Sequence, residues 1–218
     1  RKTFETNVKI TLNFLELLKN RKYKTLCHFS SSEIYGSAKY IPMDENHPKN
    51  PTTTYAAGKL SADQAVLSYY KMFNLDAFIL RPFNNYGPNQ LISRKEIGVV
   101  PNTIKRIKRN LSPIIYGSGK QKRDFIYVKD TVFYTLKIFR KVKPGEEINL
   151  TNKNVINIKK LILKIMKIMN FDKKIIYKSK RIADVFYHYG DNKKLKKLIK
   201  IKKENFNKNL NETINSYY

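Results

Sequence analysis

The chain has 218 residues, 41% of them hydrophobic, a formal net charge of +27 and one cysteine, Cys27. That length and apolar content allow one large domain with a buried core, while a lone cysteine excludes an internal disulfide and fits a reducing, cytoplasmic setting. No apolar run reaches bilayer length, since lysine interrupts even LILKIM (161–166), and no signal-peptide pattern follows Arg1. In chain order, Thr3 to Asn20 places Val8, Leu12, Leu15 and Leu18 at helical spacing. TLCHFS (25–30) reads as a short buried strand, and 36–54 as turns around Pro42, Pro48 and Pro51. Tyr55 to Phe73 reads as a helix entered from the threonines at 52–54. DAFILRPF (76–83) is a strand ended by Pro82 and the turn NNYGPN. Val99 to Asn110 is helical, SPIIYGSG (112–119) a strand and turn, and DFIYV (124–128) a strand. Asp130 is placed to cap a helix over 131–141. INL (148–150) is a brief strand, 157–169 a Lys-rich amphipathic helix, KKIIYK (173–178) a strand, and 191–203 a final helix.

Strands alternate with helices through the first half, which predicts an α/β layered fold with a parallel sheet. The expected division is 1–150 for the catalytic Rossmann-like part, with substrate-lobe insertions near 85–120, and 151–218 for a smaller substrate-binding lobe. The high charge invites a nucleic-acid reading. However, KKLKKLIKIKK (193–203), with seven lysines in eleven residues, arrays them around Leu195, Leu198, Ile199 and Ile201 like the solvated face of a helix. Aromatic residues do not interleave with that run as a single-strand binder requires. Nucleic acid is therefore not the expected partner, although the positive field favours small anions.

Tyr55 and Lys59, in YAAGK, stand four apart on the predicted helix and share a face. A cation beside a phenol favours the phenolate, which would lower its pKa and make a proton shuttle for an alcohol. The same spacing recurs at Tyr35/Lys39, Tyr116/Lys120 and Tyr189/Lys193, where a glycine directly follows each tyrosine. Only Tyr55 opens a long helix, 24 residues after Ser31 in HFSSSEIYG (28–36). A strand ending in hydroxyls and a helix bearing Tyr and Lys meet at the C-terminal edge of a parallel sheet, where open α/β sheets bind ligands. Ser30 and Ser32 read first as turn residues. His28 has no assigned role, and no His/Cys/Asp set has metal-ligand spacing.

These pieces run in one register with TNVKITLNFLE (6–16), DENHPKNPTTTYAAGK (44–59), LRPFNNYGPNQ (80–90), VVPNTIKRI (99–107), IIYGSGKQKRDFIYVKD (114–130) and RIADVFYHYGDNKKL (181–195). Together they resemble the extended short-chain dehydrogenase/reductase family, the NAD-dependent nucleotide-sugar epimerases and dehydratases. The resemblance implies Ser31 as the residue bonding the sugar 4-hydroxyl, Tyr55 as its general base and Lys59 on the nicotinamide ribose. Ser30, Pro82 and Phe83 join Tyr55 and Lys59 on the cofactor side. Asn84, Arg123 and Arg181 contact the substrate diphosphate, with Val100 and Tyr116 near the base. Bidentate guanidinium–phosphate pairing explains arginine in a chain that otherwise prefers lysine. Glu33 matches the glutamate that removes the C5 proton in 4,6-dehydratases. Ser31-Ser32-Glu33 is similar to the Thr-Ser-Glu of GDP-mannose-type dehydratases and UDP-glucuronate decarboxylases. It departs from dTDP-glucose dehydratases at Ser32, where their acid stands.

The expected reaction is thus 4,6-dehydration of a nucleotide-diphosphate sugar with NAD, NADP not being excluded. A 4-epimerase or a UDP-glucuronate decarboxylase is the alternative, and a non-catalytic remnant or basic binding module the rival of another class. The resemblance also implies a homodimer through the helices near 3–20 and 55–73. One family feature has no counterpart: none of the eight glycines forms the Gly-x-x-Gly-x-x-Gly that seats the cofactor pyrophosphate on a helix N-terminus. The chain is therefore expected to match the latter two-thirds of such an enzyme.

Overall fold

The computed structural model describes residues 1–91, 98–181 and 185–218. The first part runs α1 (Lys2–Lys19), β1 (Leu26–Phe29), a 3-10 turn (Ser32–Tyr35), α2 (Thr54–Phe73), β2 (Ala77–Pro82) and β3 (Asn84–Tyr86). It continues through α3 (Val99–Lys108), β4 (Ile114–Tyr116), β5 (Lys122–Tyr127), α4 (Val128–Ile138) and β6 (Glu147–Leu150). Then come β7 (Asn154–Asn157), α5 (Ile158–Ile168), β8 (Ile176–Lys178), β9 (Tyr187–His188), α6 (Lys193–Leu198) and α7 (Phe206–Asn215). Parts of two predicted segments, 92–97 of the 85–120 insertion and 182–184 of RIADV, lie outside the described residues. Among the described residues no helix is long and apolar enough to cross a membrane.

The expected parallel sheet is present as β1-β2-β6, with both pairings parallel. Its central strand shows why an apolar run was needed there. Side chains alternate across a strand, so Ala77 and Ile79 join Leu15, Val66 and Leu75 under α1 and α2. Phe78 and Leu80 join Tyr134, Ile138, Ile148, Leu150 and Leu195 under α4 and α6. With both faces covered, each large side chain contributes on the order of 1.5–3 kcal/mol by burial. Among the described residues β1 pairs only with β2, so its other edge faces outward.

Thr53 begins α2 as the threonine cluster predicted, its side chain accepting from Ala56 N at 3.1 Å. The helix lies close against α1 because Gly58 has no side chain: a β-carbon there would stand 3.0 Å from Phe4 Cα.

In the second assembly β5 is shared by three neighbours, β3 and β9 in parallel and β7 antiparallel. Its core joins Phe125 and Tyr127 to α3, α5 and α7 through Ile104, Leu161, Ile165, Leu210 and Ile214. A separate parallel pair, β4 and β8, stands beside it.

Two expectations are corrected. Asp130 does not cap: the helix starts at Val128 with Tyr127 as its N-cap, so Asp130 sits in its first turn and accepts from Asn152 Nδ2 at 2.9 Å. The continuous helix over 191–203 is also absent. α6 stops at Leu198 because Ile199 turns extended (φ −149°, ψ 157°), carrying Leu198, Ile199 and Ile201 onto the sheet's apolar layer. The chain's last helix is α7 instead.

Candidate functional site

β1 delivers the polypeptide to the C-terminal edge of the sheet, where the 3-10 turn takes over. Ser31 is the turn's N-cap, its Oγ accepting from Glu33 N at 3.3 Å. A single turn therefore fixes the hydroxyl and the carboxylate together. Tyr55, in the first turn of α2, leans toward it, its phenol near enough to the Ser31 side chain for that hydroxyl to act on its acidity. Two segments 24 residues apart in sequence are thus brought near one another at the end of β1.

The electrostatics differ from expectation. The Tyr55 phenol is pushed up, chiefly by burial and additionally by the Glu33 charge, with only the Ser31 side chain opposing. Lys59 does not reverse this, because its ammonium is held by the Phe29 carbonyl at 2.8 Å. Burial lowers the Lys59 pKa, and the Asp63 charge one turn along the helix resists that fall.

A cavity of about 380 Å³ opens beside the turn. Six predicted residues line it: Glu33, Asn84, Val100, Tyr116, Arg123 and Arg181. Asn84 is oriented by donating to the Asp124 carbonyl at 2.9 Å, and Arg123 Nη1 donates to the Lys122 carbonyl at 3.0 Å. The Arg181 guanidinium lies 3.9 Å from the centre of the Tyr116 ring, a cation–π stack at the cavity wall. A carboxylate at one end and two guanidiniums elsewhere suit an elongated ligand carrying negative charge.

Six predicted residues lie outside that wall, Ser31 at the head of the turn among them. Tyr55, 40% exposed, and Lys59 flank the strand end instead. Ser30 is buried there with a hydroxyl that has no partner among the described residues. Pro82 ends β2, and the Phe83 ring is buried with Ile34, Tyr35 and Met43, 5.2 Å from the His188 ring.

Sequence reading missed the buried groups behind the site. His188, fully buried on β9, contacts the Ser32 carbonyl through Nε2 at 3.1 Å and so braces the turn from the C-terminal part of the chain. Burial lowers its pKa. The carbonyl can only accept, so Nε2 carries the hydrogen. Arg81 and Asp63, both wholly buried, pair at 3.0 Å below Lys59. An arginine inside an otherwise apolar strand, and an acid four residues after Lys59, were the signals available.

Comparison with known proteins places the chain in a family. The family model described as NAD dependent epimerase/dehydratase family matches residues 1–151. A human dTDP-D-glucose 4,6-dehydratase is 35% identical over 66% of this chain and 41% of its own length. A UDP-glucuronate 4-epimerase of Thermodesulfobacterium geofontis is 31% identical over 97% of the chain and 64% of its own length. The chain thus spans less than two thirds of these relatives. The structure of a UDP-N-acetylglucosamine 4-epimerase from Methanobrevibacter ruminantium superposes with a TM-score of 0.92 at 29% identity, covering 98% of this chain and 69% of that one. With a matching family model over more than half its residues, the chain belongs to the NAD dependent epimerase/dehydratase family.

Proposed function

We propose that the protein acts on a nucleotide-diphosphate sugar as a 4,6-dehydratase. The observation that carries this reading is Glu33. Its carboxylate lines the cavity shared with Arg123 and Arg181, while its turn is fixed beside Tyr55. In this reading Arg123 and Arg181 hold the diphosphate, and Asn84 contacts it from β3. Tyr55 removes the 4-hydroxyl proton with Ser31 as its hydrogen-bond partner. A 4-keto group then acidifies C5, and Glu33 takes that proton and hands it to the C6 hydroxyl, which departs as water and leaves a C5–C6 double bond.

The residues at the strand end fit the nicotinamide-ribose portion of NAD. The orphaned Ser30 hydroxyl and the Lys59 ammonium stand there, next to the outward-facing Phe29 and Tyr55. Bound there, NAD would supply the hydride acceptor for C4 and the store from which that hydride is returned. No glycine-rich pyrophosphate loop occurs in the chain, so turnover is assigned to these residues acting with such a segment.

The experiment is incubation of the protein, expressed with its gene's upstream sequence, with a panel of nucleotide sugars and NAD, followed by mass spectrometry. Loss of one water supports dehydration. An isobaric product inverted at C4 supports epimerisation, the reading favoured by the greater extent of the epimerase match, 97% of the chain against 66%. No product from either route, or turnover unchanged by Tyr55→Phe, defeats the assignment.

The same reading includes a homodimer through α1 and α2, whose outer faces carry Ile10, Phe14, Leu17 and Met72, at 52%, 54%, 49% and 70% exposure. Light scattering that finds only monomer counts against it. The single cysteine is in keeping with a cytoplasmic protein.

A further inference from the structure

Behind the candidate site lies a cluster of charges that the reaction just described does not use. Arg81, on β2, is wholly buried, a costly place for a guanidinium unless its donors are taken up. They are taken up by two different parts of the site. Nε and Nη2 donate to Asp63 Oδ2 at 3.2 and 3.0 Å, and Asp63 belongs to α2, one turn beyond Lys59. Nη1 donates to the Tyr35 hydroxyl at 3.2 Å, and Tyr35 ends the turn that carries Ser31 and Glu33. The Tyr35 hydroxyl donates onward to Asn149 Oδ1 at 2.8 Å, which leaves it no freedom to rotate away.

One guanidinium therefore holds both halves of the site. The remaining groups complete its charge balance. Glu147 of β6 pairs with Arg81 and receives Lys49 at 2.9 Å, giving two cations and two carboxylates. His28 of β1 faces Asp63, with Nε2 3.2 Å from Oδ1. It precedes Phe29, whose carbonyl holds Lys59. Asp63 is thus surrounded by Lys59 from its own helix, Arg81 from β2, His28 from β1 and, more distantly, Lys49.

We infer that Asp63 is a positioning residue. Through Arg81 and Tyr35 it sets α2 against the catalytic turn, fixing Tyr55 within reach of Ser31, and its charge keeps the Lys59 ammonium in place at the strand end. This rests on the assignment of Ser31, Tyr55 and Lys59 to the reaction. The physical content is geometric: Ser31 and Tyr55 come from two segments that Arg81 ties together, and a displacement of about 1 Å between reacting groups costs on the order of a hundredfold in rate.

Two variants test it. Asp63→Asn removes the charge while retaining an oxygen for Arg81. Tyr35→Phe removes the hydroxyl and leaves Asp63 untouched. Each is made in the 218-residue chain labelled with 13Cζ-tyrosine, the Tyr55 resonance being assigned from Tyr55→Phe. Both variants are expected to move that resonance while circular dichroism and melting show an intact fold. In the protein expressed with its upstream sequence, each is expected to lower kcat about tenfold or more with little change in KM. Asp63→Asn should also shift the alkaline loss of activity to lower pH, as Lys59 gives up its proton sooner; Tyr35→Phe should leave that limb in place. A purely structural role moves none of these separately from the melting temperature.

If Asp63→Asn does not fold, Tyr35→Phe decides alone. An unmoved Tyr55 resonance in folded Tyr35→Phe, or wild-type kcat in both folded variants, overturns the inference while leaving the proposed reaction standing. A moved resonance in a protein that turns over no nucleotide sugar supports the coupling and counts against the reaction.

Discussion

Gly36 closes the turn that carries Ser31 and Glu33, and replacing it with alanine is the sharpest test of how tightly that turn is held. Its backbone sits at φ 62°, ψ −137°, with its N–H donating to the Glu33 carbonyl at 3.1 Å. A side chain at such dihedrals costs about 1–3 kcal/mol in strain alone. A β-carbon would also fall well inside the contact distance of the Asn50 carbonyl oxygen and 3.1 Å from its carbon. Neither atom belongs to a flexible side chain, so the backbone itself must shift, adding about 1–3 kcal/mol. Gly36→Ala should therefore lose about 4 kcal/mol, a large share of the 5–15 kcal/mol or so typical of a domain. With a urea slope of about 3 kcal/mol/M, the unfolding midpoint falls by about 1.3 M. Urea titration followed by circular dichroism measures this. A midpoint within about 0.2 M of the parent would refute the claim that the Gly36–Asn50 approach constrains the turn.

Glu33→Gln keeps the shape of the cavity and removes the base. It should reduce water loss by about 10²–10⁴ while 4-keto sugar still forms, as seen by mass spectrometry; undiminished dehydration would remove Glu33 from the chemistry. Asp124 is fully buried, and burial pushes its carboxyl up to about 7 against the bonds from Thr151 and Gly190. The unfolded carboxyl titrates near ~3.9, so between about pH 4 and 7 the native state binds the extra proton and stability falls as pH rises. Asp124→Asn should flatten that slope in urea titrations at pH 5 and 8, and an unchanged slope would place the pH dependence elsewhere. Burial also pushes the Cys27 thiol up to about 12, so alkylation at pH 8 should run far slower than for a free thiol near ~8.5, with mass spectrometry following the adduct.

How much of this was legible depended on whether a residue's role was local. β2 was visible as an apolar run buried on both faces, β1 as a shorter and only half-buried apolar run, and α2 from its threonine entry, because burial and capping leave a mark on adjacent residues. β3, β7 and β9 were not, since each exists only through its register with β5. α7 was hidden by an asparagine-rich sequence of weak helical propensity, although Leu210 and Ile214, four apart, are its buried face. The overlong 191–203 helix failed for the opposite reason: its lysines kept helical spacing while the apolar demand of the sheet pulled Ile199 into extended form. In the site, the six cavity residues followed from motif register. The direction of the Tyr55 shift did not, because it depends on how deeply the phenol is buried and on where Lys59 donates its proton.

The outward edge of β1 has a practical consequence. Its four residues end one position before Ser30, so the whole edge lies within about 17 Å of chain from Ser31. A strand supplied from elsewhere and added to that edge would stiffen the stretch that aims Ser31. Left bare, the same edge is a template for other chains in solution. Purified alone, this polypeptide should be handled dilute, and a docked strand would improve both its solubility and the order of its serine turn.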